Sequence, residues 1–206
     1  MSGRTLIPAI LALLVTAGCA SLRGPKPMPG NFPGKLPEAC LRTCERLQLK
    51  PTHYVLVVQV STQHLALYAD GRFDSEYPCS TSRYGIGQEL NSRGTPLGLH
   101  CIAEKIGAGL PAGTVFKSRQ VAGTTADPGL EHAGITTRIM WLDGLEPGFN
   151  RGGTVDTHAR YVYLHGTSDQ ATIGRPHSLG CTELADPVLI KLFDLLPSGT
   201  MVWIED

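Results

Sequence analysis

The sequence predicts a mainly-β domain, a sandwich or barrel with long loops and one helix near its C-terminal end. Three observations carry this. Short β-branched or alternating runs follow one another from Tyr54 onward. Stretches rich in Gly and Pro separate them. One convincing helix of any length follows, with apolar Leu184, Val188, Leu189, Leu192 and Leu195 at roughly helical spacing.

Residues 1–36 precede that domain. Arg4 and an apolar stretch of about ten residues, Leu6 to Val15, have the layout of an export signal and fall well short of a bilayer span. The stretch ends in Thr16-Ala17-Gly18-Cys19, which resembles a bacterial lipoprotein processing site. Residues 1–18 are expected to be removed, leaving Cys19 as a lipidated N-terminus. Ala20, rather than Asp, resembles lipoproteins sorted to the outer membrane where the host has one. The expected location is the cell envelope, lipid-anchored and facing the periplasm in such a host. Residues 19–36 hold Pro25, Pro27, Pro29 and Pro33 with Gly24, Gly30 and Gly34, an extended spacer with no core of its own. Residues 37–53 form a short helical lead-in, with Pro37 at the first helical position and Cys40, Leu41, Cys44 and Leu47 on one side.

The domain proper covers residues 54–206. Residues 55–60 are a β-branched run. Leu65-Ala66-Leu67-Tyr68 alternates into Asp70-Gly71, a two-residue hairpin turn, and residues 73–82 complete the hairpin. Further strands are predicted over 97–105, 135–142, 161–165 and 200–204, and a helix over about 184–196. Residues 83–96, 107–133 and 143–159 are predicted as irregular loops.

Composition excludes some classes of partner. Apolar residues make up 42% and charged residues 17%, as in ordinary globular proteins, and 18 basic side chains balance 18 acidic ones. Nothing suggests a nucleic-acid surface or a polybasic membrane surface, so the partner must be recognised by a local site. Beyond Cys19 and Cys181, four cysteines remain: Cys40, Cys44, Cys79 and Cys101. Cys79 and Cys101 both fall in strand-like runs of an exported chain, so a cross-strand disulfide is expected, with buried free thiols as the alternative for both pairs. No two-plus-two ligand spacing for zinc occurs, and no metal is expected.

The chemistry concentrates in Tyr163-Leu164-His165-Gly166-Thr167 and Ser178-Leu179-Gly180-Cys181-Thr182. A thiol read as lying just ahead of a helix, with an imidazole on a strand at the other end of a polar loop, is the minimum apparatus for acyl transfer through a thioester. Gly180 lets the backbone approach a substrate, and amides around Gly180 and Cys181 are candidates for holding the oxyanion. Ser178, Gly166 and Thr167 are read as shaping the loop and pocket. Arg138, Trp141 and Asp143 are candidate substrate contacts, Arg138 as a carboxylate clamp and Trp141 as a flat surface.

These residues resemble the signature of the L,D-transpeptidase (YkuD-like) family, usually His-Gly-Thr, about a dozen residues, then Ser-His-Gly-Cys, an aliphatic residue and Arg. His165, Gly166, Thr167, Ser178, Gly180 and Cys181 match it. The likeness continues upstream through Thr95-Pro96-Leu97-Gly98, residues 102–109 and residues 141–148, and covers roughly residues 54–205. Leu179 stands where the family usually has a second histidine, His177 lies two residues before that place, and Glu183 stands where it usually has arginine.

The resemblance implies an L,D-transpeptidase-type β-sandwich with long loops and one C-terminal helix after the catalytic cysteine. It implies Cys181 as nucleophile, His165 as base, no cofactor, and peptidoglycan stem peptides as partners. Cys181 would attack at the L-centre of the third stem residue and release D-Ala. Another stem, a free D-amino acid, a lipoprotein lysine or water would then take the acyl group. A second reading is a wall-binding pseudoenzyme of the same fold, impaired by Leu179 and Glu183. A papain-like peptidase is disfavoured, because those chains place the cysteine before the histidine.

Overall fold

Asp70 and Gly71 both take left-handed backbone angles (φ 48° and 74°) and join β2 (His64–Ala69) to β3 (Arg72–Ser80). A two-residue turn with positive φ at both positions matches the twist of an antiparallel pair, which is why Asp-Gly marks this hairpin. The computed structural model describes residues 29–206. The signal-type segment, Cys19 and the first part of the spacer lie outside the described residues.

The remaining strands are β1 (Tyr54–Gln59), β4 (Gly98–Ile106), β5 (Thr114–Lys117), β6 (Gln120–Thr124), β7 (Thr136–Gly144), β8 (Tyr163–Gly166), β9 (Thr182–Leu184) and β10 (Met201–Glu205). They form one sheet in the order β4-β10-β1-β2-β3-β9-β8-β7-β5-β6, with a further pairing of β4 to β7. That pairing closes a ring. Of the sandwich or barrel expected from the strands, a closed, barrel-like sheet of eight strands forms, with the β5–β6 hairpin appended to β7, in place of the sandwich that the resemblance implied. Closure leaves the ring without free edges, whereas a two-sheet sandwich exposes four.

Alternation sorts the side chains. All eight ring strands send residues inward, among them Leu56, Leu65, Cys79, Ile102, Met140, Leu164, Leu184 and Val202. Helix α2 (Asp186–Leu195) adds Leu189, Leu192 and Phe193 to this interior. Losing one such leucine to alanine costs about 2–5 kcal/mol. Helix α1 (Glu38–Arg46), preceded by Pro37, lies against the outer face, where Cys40 and Cys44 pack on Val55, Val57, Tyr68, Leu99 and Met201. A third cluster on the outside joins Phe116, Ile139, Trp141 and Tyr163, with Cys181 against it.

Two further expectations are corrected. Residues 107–133, read as an irregular loop, contain the β5–β6 hairpin, whose short strands carry few inward apolar residues to betray them. Cys79 and Cys101 are both free. Strand β3 pairs with β2 and β9, while β4 pairs with β10 and β7. Cys79 also points into the barrel, whereas Cys101 sits opposite outward-facing Met201. A disulfide needs adjacent, facing Cβ atoms, and this pair has neither.

Candidate active site

Strands β8 and β9 run parallel, with Leu164 opposite Thr182 and His165 opposite Glu183. One step back in that register Tyr163 lies beside Cys181, and the Tyr163 amide donates to the Cys181 Sγ at 3.3 Å. Since Leu164 and Leu184 point inward, alternation puts Tyr163, His165, Cys181 and Glu183 together on the outer face. His165 and Cys181 are diagonal neighbours there.

The electrostatics of the pair differ from the sequence expectation. The residues after Cys181 form β9, and α2 begins only at Asp186, so no helix N-terminus stands next to the thiol. Burial pushes the Cys181 thiol up to about 12; Glu183 adds to the rise, while the Tyr163 amide and the Arg160 charge oppose it. Burial also pushes His165 below the usual histidine range, against the Gly166 carbonyl and Glu183. At neutral pH the resting pair is thus a neutral thiol and a neutral imidazole. His165 Nδ1 lies 2.8 Å from the Gly166 carbonyl oxygen. A neutral ring donating from Nδ1 keeps Nε2 as its basic nitrogen.

Cys181 opens onto a cleft of about 370 Å³ whose walls include Leu90, Arg93, Arg160, Tyr161 and Leu179. Arg160 pins one wall. Its Nη1 donates to Gln88 O at 2.7 Å, and its Nη2 to Gly94 O at 2.8 Å and Ser92 Oγ at 3.2 Å. These bonds go to uncharged acceptors, so a half-buried cation faces the thiol. Sequence reading missed Arg93 and Arg160, because they arrive from two separate irregular segments that carry no motif.

The other predicted residues divide. Ser178 Oγ donates to Cys181 O at 2.6 Å and accepts from the Gly180 amide at 3.2 Å, which shapes the turn into the cysteine. The Gly180 amide is therefore already engaged. Gly180 has φ 127°, which disfavours a side chain, and an added Cβ would sit 3.3 Å from the Gly94 carbonyl oxygen. Gly166 is tighter still, since a Cβ would lie 2.7 Å from Asp186 Oδ1 and 2.9 Å from Thr136 O. Buried Thr167 accepts from the Asp169 amide through Oγ1 at 3.2 Å.

Arg138, expected as a carboxylate clamp, is instead buried. Its Nη1 donates to Thr137 O at 2.6 Å and its guanidinium lies over the Phe193 ring of α2, away from the cleft. Trp141 does lie beside Tyr163 in the outer cluster, but its face is covered: the His158 ring stacks parallel to it, with centroids 3.9 Å apart. Exposed Tyr161 presents the ring at the cleft instead. Asp143 pairs with Arg151 at 3.9 Å. His177, two residues before the place of the missing histidine, holds Glu183 through Nδ1 to Oε2 at 2.8 Å.

Comparison with known proteins decides the family. Residues 53–204 match the YkuD family, described as the L,D-transpeptidase catalytic domain. The chain belongs to this family. A comparison with curated proteins gives no match. Among solved structures, similarity extends to an L,D-transpeptidase from Mycobacterium smegmatis, at 17% identity over 75% of this chain and 59% of that one, with TM-score 0.47. It also extends to an L,D-transpeptidase from Xylanimonas cellulosilytica, at 18% identity over 76% and 62%, TM-score 0.48. A third is L,D-transpeptidase 3 from Mycobacterium tuberculosis in complex with a faropenem-derived adduct, at 17% identity over 75% and 60%, TM-score 0.45. In each case the YkuD chain described here spans less than two thirds of the other's length.

Proposed function

We propose that this domain is a peptidoglycan L,D-transpeptidase with Cys181 as nucleophile and His165 as base. The observation that supports this most is the diagonal placement of both side chains on one outer face of β8 and β9, with Cys181 lining an open cleft and His165 buried behind it. As Cys181 Sγ attacks the donor carbonyl, its proton passes to His165 Nε2. With the Gly180 amide held by Ser178, the Cys181 amide is the other candidate donor for the oxyanion. The tetrahedral intermediate collapses to a thioester, and His165 returns the proton to the departing D-Ala amine. An acceptor amine or water then takes the acyl group by the reverse proton path. No cofactor enters this scheme. Arg93 and Arg160 suit an acyl donor that carries carboxylates.

The same reading places the protein outside the cell membrane, anchored through lipid on Cys19 and held off the surface by the spacer over residues 19–36. In a host with an outer membrane it faces the periplasm.

A carbapenem serves as a surrogate acyl donor for a thiol nucleophile. Intact mass after incubation is expected to show one adduct, mapped to Cys181 and absent from Cys181→Ala. The high thiol pKa and exposed Leu179 favour a second reading, a wall-binding pseudoenzyme. Native protein that takes no adduct and releases no D-Ala, while Leu179→His does both, establishes the second reading over the first.

A further inference from the structure

Glu183 occupies the place of the family's arginine, so a charge of the opposite sign stands beside the reacting pair. In the parallel register it lies directly opposite His165, on the face that also carries Cys181. Directly opposed cross-strand side chains have Cβ atoms about 5 Å apart. The Glu183 carboxyl is only 5% exposed, and among the described residues its ion-pair partner is His177, with Nδ1 to Oε2 at 2.8 Å.

Glu183 is surrounded by groups from several elements. Strand β8 offers His165. Strand β3 offers Ser80, whose hydroxyl is committed to Thr172 O at 2.8 Å. The loop between β8 and β9 offers His177, fixed because its amide and that of Ser178 both donate to Thr81 O, at 2.9 and 3.0 Å. Cys181 shares the strand. His165 is faced in turn by Ile139 from β7 and by Tyr163 on its own strand, neither of which carries a charge at neutral pH. One buried carboxyl is therefore flanked by two imidazoles, a half-exposed one that holds it and a buried one that takes the thiol proton.

We propose that Glu183, held by His177, is a positioning residue that supplies the counter-charge to the imidazolium formed at His165. The proposal rests on Cys181 and His165 being the reacting pair. An imidazolium arising in a buried site is disfavoured without an adjacent anion, and a fixed carboxylate one strand away favours it without moving. The rise that Glu183 imposes on His165 agrees with this, and the rise it imposes on Cys181 is the accompanying penalty on free thiolate. The weaker thiol acid disfavours a preformed ion pair, while the stronger base at His165 favours taking the proton as the sulfur attacks. His177 thus acts on catalysis through Glu183 rather than by replacing the imidazole absent at position 179.

The test combines Glu183→Gln and Glu183→Asp with two readouts. The first is the titration of His165 followed by NMR on histidine labelled at Cε1; the second is the rate of carbapenem acylation at Cys181. Glu183→Gln is expected to lower the His165 titration and slow acylation by about 10–100-fold, the effect of one to two pKa units. Glu183→Asp keeps the charge and is expected to keep most of both. Unchanged titration and rate in Glu183→Gln overturn the proposal, as does equal loss in Gln and Asp, which marks a packing role. His177→Gln gives an independent reading should the Glu183 variants not fold: with Glu183 no longer held, the His165 titration is expected to fall and acylation to slow, and no change in either overturns the proposal. Absence of any adduct on unmodified protein counts against the nucleophile instead, and the His165 titration still decides the role of Glu183.

Discussion

The Tyr163 amide points at the Cys181 sulfur across 3.3 Å, from the neighbouring strand of a parallel pair. This bond fixes the thiol at the cleft floor and is the largest influence holding its pKa down, yet burial outweighs it. Free thiolate is therefore scarce at neutral pH. Alkylation of Cys181 by iodoacetamide at pH 8 is expected to be at least about tenfold slower than that of a peptide cysteine, whose pKa lies near 8.5. Peptide mapping of a time course checks it, and rapid labelling of Cys181 at pH 7 is the contrary result.

On the proposed mechanism, in which His165 is the base, acylation by a carbapenem is expected to follow a different profile from alkylation. His165→Ala should slow it by about 10²–10⁴, the usual range for loss of a general base. With His165 pushed below its ordinary value, the neutral base persists into mildly acidic solution. The acid limb of the rate profile should fall below about pH 6.5, the unperturbed histidine value. Rates measured from pH 4.5 to 8 would place it.

Arg160 joins the wall of the cleft to the reacting thiol. Arg160→Gln removes a guanidinium that bonds to Gln88, Ser92 and Gly94 and leaves their acceptors without it. Acylation is expected to fall by more than about tenfold, a loss above 1.4 kcal/mol. The effect should be larger for a donor with a free carboxylate than for its amide. Equal losses for the two donors would assign Arg160 to the wall alone.

His100 makes stability depend on acid. It is fully buried, with Nδ1 3.0 Å from Gly98 O and Nε2 3.1 Å from Thr157 Oγ1, and burial pushes it down to about 4. An unfolded histidine titrates near 6.5, so the unfolded chain takes up the proton first. The stability given by neutral His100 is complete above about pH 6.5 and drains away toward pH 4, at up to about 1.4 kcal/mol per unit. His100→Gln should lower stability at pH 7 and flatten its slope between pH 6.5 and 4, read from urea midpoints.

The thiols make a simpler prediction. Cys40, Cys44, Cys79, Cys101 and Cys181 are free, so reduction of folded domain is expected to leave its intact mass unchanged. A gain of two hydrogens would locate a disulfide that this arrangement does not hold.

The sequence disclosed the strands whose signals are local. Asp70-Gly71 forms its turn by backbone angle alone, and the runs at β1, β2 and β4 have apolar content that needs no partner to be read. Strand β9 was hidden, because its three residues run into the helical spacing that begins at Leu184 and are held by pairing with β3 and β8. Misreading it gave the thiol a helix dipole it lacks. Arg138 looked like a clamp because charge was visible and direction was not; it falls on the inward side of β7 with Met140 and Leu142. The His165 and Cys181 spacing was legible as a motif. Arg160 and the Glu183–His177 contact depend on loops meeting in space.

Strand β9 is also the stave that completes the ring, lodged between β3 and β8. The thiol at its leading edge meets the imidazole of β8 only when that stave is in place. Its partners on one side, Cys79 and Ser80, lie far along the chain, whereas Leu164 and His165 on the other are one loop away. The pairing with β3 must await a long loop closure, which the pairing with β8 does not. The reactive pair is therefore fixed in place only once β3 and β8 both hold β9. A chain in which β9 has not docked leaves the spacing of thiol and imidazole unfixed, so adduct formation at Cys181 doubles as a report that the ring has shut.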